Sequence, residues 1–133
     1  MQNTIVLVDD NKELNDLCAE ILEIHGFKVM SFTNVDAAKK YLLHTNVSNI
    51  YAIVSDLMMG PTDGLDFLSF VKSVPALAQI DFFLMTGAIV TVFEPFYRDF
   101  AIKGIIKKPF NVKDFLALLK ENHNNTITMK IAA

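Results

Sequence analysis

A chain of 133 residues has room for one domain with a packed core, and its net charge of −3, from scattered basic and acidic residues, lacks the clustered basic face that direct nucleic-acid binding uses. The hydrophobic fraction of 52% and mean hydropathy of +0.33 are high, yet uncharged stretches such as Phe82 to Phe93 fall short of the roughly 20 apolar residues a membrane span needs. Asp9, Asp10, Lys12 and Glu13 interrupt any signal-like start, so the cytoplasm is the expected location, and the single cysteine, Cys18, excludes an internal disulfide and a multi-cysteine metal site.

Short apolar runs alternate with helical stripes, the pattern of a β/α protein with a parallel sheet. The first strand is Thr4 to Val8, and a helix follows from about Lys12 to His25, with Asn11 as N-cap and Gly26 as stop. Its apolar stripe is Leu14, Leu17, Cys18, Ile21 and Leu22, so Cys18 reads as a core residue. The second strand, Lys28 to Phe32, precedes a helix from Val35 to His44, capped by Asn34, with Val35, Ala38, Tyr41 and Leu42 facing inward. The third strand is Ala52 to Ser55. Its helix begins near Gly64 and buries Leu65, Leu68 and Val71 before Pro75 ends it. The fourth strand is Asp81 to Met85. Between Ala88 and Phe100 the aromatic-rich sequence contains Pro95, which predicts a short, broken or kinked fourth helix. The fifth strand is Ile105 to Lys107, and the last helix, about Val112 to Asn122, carries Val112, Phe115, Leu116 and Leu119 at helical spacing. One domain over residues 1–122 is expected, with 123–133 as a tail: a disordered end, an extra strand, or the start of a truncated linker.

Polar residues stand where the apolar strands end: Asp9 and Asp10 after the first, Asp56 after the third, Thr86 after the fourth and Lys108 after the fifth. In an open parallel sheet the carboxyl ends of the strands share one edge, where ligands bind. Three carboxylates, a hydroxyl and an ammonium converging there suit a divalent cation beside a phosphoryl group. Taken singly these residues have plainer readings: Asp9-Asp10-Asn11 as a helix-capping cluster, Thr86 as a turn residue, Lys108 beside Lys107 as surface charge. The three histidines, His25, His44 and His123, read as helix-end or tail residues.

Val8-Asp9-Asp10-Asn11, Ser55-Asp56-Leu57-Met58-Met59 with Asp63-Gly64, Met85-Thr86-Gly87 and Lys107-Lys108-Pro109-Phe110 together resemble a response-regulator receiver domain, the phospho-accepting module of two-component signalling. The resemblance runs from Ile5 to about Asn122. It implies a five-stranded parallel sheet of order 2-1-3-4-5 with helices on both faces, the flavodoxin-like receiver fold. It further implies that Asp56 accepts a phosphoryl group from a phosphohistidine on a histidine kinase or histidine phosphotransfer protein. Asp9, Asp10, Asp56 and the Met58 backbone carbonyl would hold Mg²⁺, with Mn²⁺ as a substitute, while Thr86 and Lys108 would sense the phosphate. A cis bond before Pro109 would direct Lys108 inward. The implied output is a change of protein-binding surface, on the face of the fourth helix, fifth strand and last helix, toward a second copy or another protein.

Charge explains the set: three aspartates against Mg²⁺ and Lys108 leave a neutral site, and phosphorylation of Asp56 takes it to about −1. Without metal the carboxylates would repel each other, so phosphorylation should require the cation. Departures from the family pattern sit in the response machinery. Gly60 stands where proline is usual, with Pro61 one position later, and Thr62 replaces a usual methionine. Ile105 stands where many receivers carry a switching aromatic, so the cluster Phe93, Phe96 and Tyr97 is expected to take over part of the response. Met58 and Ala88 offer no polar group to orient water, which predicts slow self-dephosphorylation.

Two rivals stand beside this expectation of a signalling switch. A small aspartate-nucleophile phosphatase of the haloacid dehalogenase type would need a second acid two residues after its nucleophile, where Asn11 stands relative to Asp9. A degenerate receiver serving only as an interaction module would not need the complete set of Asp9, Asp10, Asp56, Thr86 and Lys108.

Overall fold

The computed structural model describes residues 2–56, 64–87, 102–108, 110–121 and 130–132. Strands β1 (Thr4–Val8), β2 (Lys28–Phe32), β3 (Ile50–Asp56), β4 (Asp81–Thr86) and β5 (Gly104–Lys107) alternate with helices α1 (Lys12–Ile24), α2 (Val35–His44), α3 (Gly64–Ser73) and α4 (Val112–Glu121). The expected order 2-1-3-4-5 is present, with every pairing parallel. A sixth strand, β6 (Lys130–Ala132), extends the sheet beyond the five expected by pairing parallel with β5. Of the three alternatives for the tail, the extra strand is therefore the one seen over these residues. The expected fourth helix lies outside the described residues.

The alternation of side chains along each strand sorts the core into two layers. Val6, Val8, Ile53, Phe82, Leu84 and Ile105 face one side, where Val35, Ala38 and Leu42 of α2 and Phe67, Leu68 and Val71 of α3 cover them. Ile5, Leu7, Ala52, Val54, Phe83, Met85 and Ile106 face the other, under Cys18 and Leu22 of α1 and Phe115 and Leu119 of α4. Strands covered on both faces read as unbroken apolar runs, which is why β1, β3 and β4 are so hydrophobic. Each fully buried Leu, Ile or Phe contributes about 1.5–3 kcal/mol.

Caps fix where the helices start and stop. Asn11 accepts from the Leu14 N–H at 3.1 Å, and Asn34 accepts from the Ala37 N–H at 2.8 Å. Gly26 adopts φ 96°, with Gly26 N–H donating to Glu23 O and Phe27 N–H to Leu22 O, a Schellman closure that needs a residue free of Cβ strain. The stripe expected on α1 is shifted. Cys18 and Leu22 are buried, but Leu17 is 53% exposed, and the polar Asn15 takes a core position instead. On α3 Phe67 joins Leu68 and Val71 inside, leaving Leu65 half-buried, and on α4 Val112 is exposed while Leu118 is buried.

Candidate functional site

Parallel order brings the carboxyl ends of β1, β3, β4 and β5 side by side, and the polar residues that follow them meet there. Carboxylate oxygens of Asp9, Asp10 and Asp56 all lie within 4.8 Å of one another, with Asp9 and Asp56 buried and Asp10 exposed. Lys108 Nζ stands 3.0 Å from Asp9 Oδ2 and 3.1 Å from Asp56 Oδ1. One ammonium thus bridges two buried carboxylates drawn from the ends of β1 and β3.

The backbone holds this arrangement in place. The Lys108 N–H donates to Thr86 O at 2.8 Å, continuing the β4–β5 ladder one residue beyond its last paired position. Thr86 is fully buried beside it. The Asn11 N–H donates to Asp9 Oδ1 at 3.0 Å, which turns the Asp9 carboxylate back over the start of α1. Ser55 Oγ donates to Asp56 O at 3.0 Å at the end of β3.

Electrostatics follow from this crowding. Burial pushes the Asp56 carboxyl above the usual carboxylate range; Lys108 opposes that rise, and Asp9 and Asp10 add to it. For Lys108, burial alone would lower the ammonium, but its hydrogen bond to Asp9 and the charge of Asp56 carry the net shift upward. Two buried carboxylates against one ammonium leave negative charge in excess, with hard oxygen donors close together. That donor set fits a small divalent cation.

Asn15 is the residue that sequence reasoning missed. Its side-chain amide donates to Phe32 O at 3.1 Å, and the Asp9 N–H donates to the same oxygen at 3.1 Å. A polar residue on an otherwise apolar helix stripe was the available signal. An apolar cavity of about 420 Å³ also opens beside the site, between Leu14, Leu17, Cys18 and Ile21 of α1 and Phe110 and Val112, with Lys108 on its wall. Exposed Ile24 continues the same side of α1.

Of the residues expected at the site, Asp9, Asp10, Asp56, Thr86 and Lys108 gather at one sheet edge. Ile105 is fully buried in the layer under α2 and α3. Met58, Pro109, Gly60, Pro61, Thr62, Ala88 and the cluster Phe93, Phe96 and Tyr97 lie outside the described residues.

Residues 5–120 match the response regulator receiver domain family. The chain belongs to that family. It is a receiver, the phospho-accepting signalling switch of two-component systems, whose class interacts with histidine kinases. Regulatory protein VirG of Agrobacterium tumefaciens (strain 15955) is 27% identical over 117 residues, covering 87% of this chain and 42% of the relative. Transcriptional regulatory protein CpxR of Escherichia coli (strain K12) is 27% identical over 118 residues, covering 89% of this chain and 48% of the relative. The receiver thus spans less than half the length of these two relatives. The chemotaxis response regulator CheY4 of Vibrio cholerae superposes with a TM-score of 0.82 at 18% identity, covering 92% of this chain and 99% of that one, a likeness of fold. Among the described residues, no helix is long and apolar enough to cross a membrane.

Proposed function

We propose that Asp56 is the phosphoacceptor of this receiver and that Asp9 and Asp10 with Asp56 hold Mg²⁺, the Met58 carbonyl completing the protein ligands. The observation that carries this reading is the Lys108 ammonium bridging Asp9 and Asp56 at 3.0 and 3.1 Å. Bound cation would offset the carboxylate charge that otherwise repels an incoming phosphoryl group.

An Asp56 carboxylate oxygen attacks phosphorus, forming an acyl phosphate. The P–N bond to the donor histidine breaks, and its electron pair stays on the imidazole nitrogen. Asp56 surrenders its carboxylate charge in the process, so Lys108 exchanges its contact with Asp56 for one with a phosphoryl oxygen. Asp9, hydrogen-bonded to the Asn11 N–H, keeps its place and holds the other side of the ammonium. Thr86, fully buried at the end of β4, is one strand away on the same edge and supplies a hydroxyl toward the phosphoryl group. Acceptor and cation ligands both come from the chain, so a small phosphodonor suffices for loading.

The apolar cavity along α1 is the docking place we assign to the histidine-bearing partner. It shares Lys108 with the phosphorylation site, so a donor seated there presents its phosphohistidine to Asp56. Mass spectrometry after incubation with acetyl phosphate and Mg²⁺ tests the central assignment. Wild type should gain one phosphoryl group and Asp56→Asn none; an adduct retained in the variant refutes it. A single stoichiometric loading, instead of sustained release from a generic phosphate ester, sets the switch apart from a phosphatase.

A further inference from the structure

Receivers of five-strand order end on β5, but here β5 has strands on both sides. Gly104, Ile105 and Ile106 pair with Phe83, Leu84 and Met85 on one edge, and with Lys130, Ile131 and Ala132 on the other. Without β6, the backbone N–H and C=O groups on that edge would stand open beside two fully buried isoleucines. Such an edge is a template for pairing with another chain.

The covering strand is short. Its three residues fall below the mean strand length of about 5–6, so only a few ladder bonds hold it, far fewer than the seven-residue β3 can make. Its sequence is nonetheless strand-forming: Ile127, Met129 and Ile131 alternate with Thr126, Thr128 and Lys130. Eight residues, 122–129, separate it from the end of α4.

We propose that the β5 edge is a strand-pairing surface held closed in cis by Lys130–Ala132, and that undocking of this segment frees the edge for a second copy of the chain. Two β5 edges related by a two-fold axis pair antiparallel. The edge groups belong to Ile105 and Lys107, so the axis falls on a residue, and centred on Ile106 that ladder sets Lys107 opposite Ile105 of the other copy. No lysine faces a lysine, so the edge is compatible with itself. The new contact would replace the three-residue ladder with one along all of Gly104–Lys107.

Substituting Lys130→Pro, with Ala132→Pro as an independent disruption, tests this in the full chain, since each removes an N–H that faces β5. Light scattering across a concentration series should show monomeric wild type and a dimer that grows with concentration in both variants. In dilute, monomeric samples, exchange of the Ile105 and Lys107 amides, which face β6, should rise by about tenfold or more over wild type, while the Ile106 amide, which faces β4, keeps its protection. Excess synthetic peptide of residues 126–133 should return the variants to monomer. Variants that stay monomeric overturn the second-copy pairing. Unchanged exchange at Ile105 and Lys107 overturns the cis cover, and a dimer that the peptide leaves intact places the contact elsewhere.

Discussion

The Asn15 side-chain amide donates to the Phe32 carbonyl at 3.1 Å, tying the first turn of α1 to the end of β2. Because the Asp9 N–H uses the same oxygen, this one carbonyl positions both the helix and the acidic turn before it. The other half of the amide is costly. Asn15 Oδ1 is buried with no hydrogen-bond partner among the described residues. Asn15→Ala should lose about 1–2 kcal/mol in urea unfolding, through a missing hydrogen bond and a small void. Asn15→Leu removes the buried oxygen as well and should lie nearer to wild type in stability. Both variants should bind Mg²⁺ several-fold more weakly by titration, because the Asp9 turn is no longer fixed. Wild-type Mg²⁺ affinity in both would show that Asn15 is only a packing residue.

Lys108→Ala should destabilise the metal-free protein by about 1–3 kcal/mol at neutral pH, a figure below that for a fully buried pair because the lysine is partly exposed. The sign with pH follows from Asp56. Its folded pKa is raised, so the folded state holds its proton longer than the unfolded state, and stability falls as pH rises through the carboxylate range. Removing Lys108 takes away the one group opposing that rise and steepens the fall. The gap between variant and wild type should therefore close as pH drops toward and below 4. In wild type the lysine's own contribution is fully present below its ordinary 10.5 and lost as pH climbs past its raised folded value. Chemical denaturation at pH 4, 7 and 10.5 checks both directions. A gap independent of pH between 4 and 7 would remove Asp56 from the explanation.

Much of this was legible in the residues. Uncharged runs bounded by Asp9, Asp56, Thr86 and Lys108 marked the ends of strands covered on both faces, since such strands cannot carry polar residues until they emerge. Asn11, Asn34 and Gly26 marked helix ends because side-chain acceptors and positive φ have few other uses. The helix faces were less legible. Leu17 belongs to the apolar stripe of α1 by spacing, yet it is exposed, because helical periodicity assigns a face without saying whether the neighbouring cover is protein or solvent. Asn15 was hidden for the opposite reason: its burial depends on an acceptor in β2, seventeen residues away. The strand β6 was one of three alternatives, as its pairing with β5 is a tertiary choice that a short tail cannot announce.

Cys18 gives a pH prediction away from the carboxylates. Burial pushes its thiol from 9.0 up to about 11, with the Asp9 charge adding to the rise. At neutral pH it is a neutral core residue, and iodoacetamide should modify it far more slowly than a free thiol. The sign for stability is definite: between 9 and about 11 the unfolded chain loses this proton while the folded chain keeps it. This group's share of stability is thus complete below about 9 and declines as pH rises toward 11. Alkylation followed by intact mass across that range should accelerate steeply toward 11, and rapid complete labelling at pH 7 would contradict the buried thiol.

Leu17 separates docking from chemistry. Being half exposed on the rim of the α1 cavity, it adds little to the core, so Leu17→Glu should change stability by less than about 0.5 kcal/mol. A charge there meets any apolar surface seated in the cavity and leaves it desolvated, which weakens a docked partner without touching Asp9, Asp56 or Lys108. Phosphotransfer from a histidine-phosphorylated donor should therefore fall by about tenfold or more, equivalent to roughly 1.4 kcal/mol of lost transition-state contact. Loading by acetyl phosphate should keep its wild-type rate, because that small donor needs no docking surface. Parallel time courses with the two donors read the difference directly. Equal losses with both would mean that Leu17 supports the phosphorylation site itself, and equal retention with both would move the partner to another face.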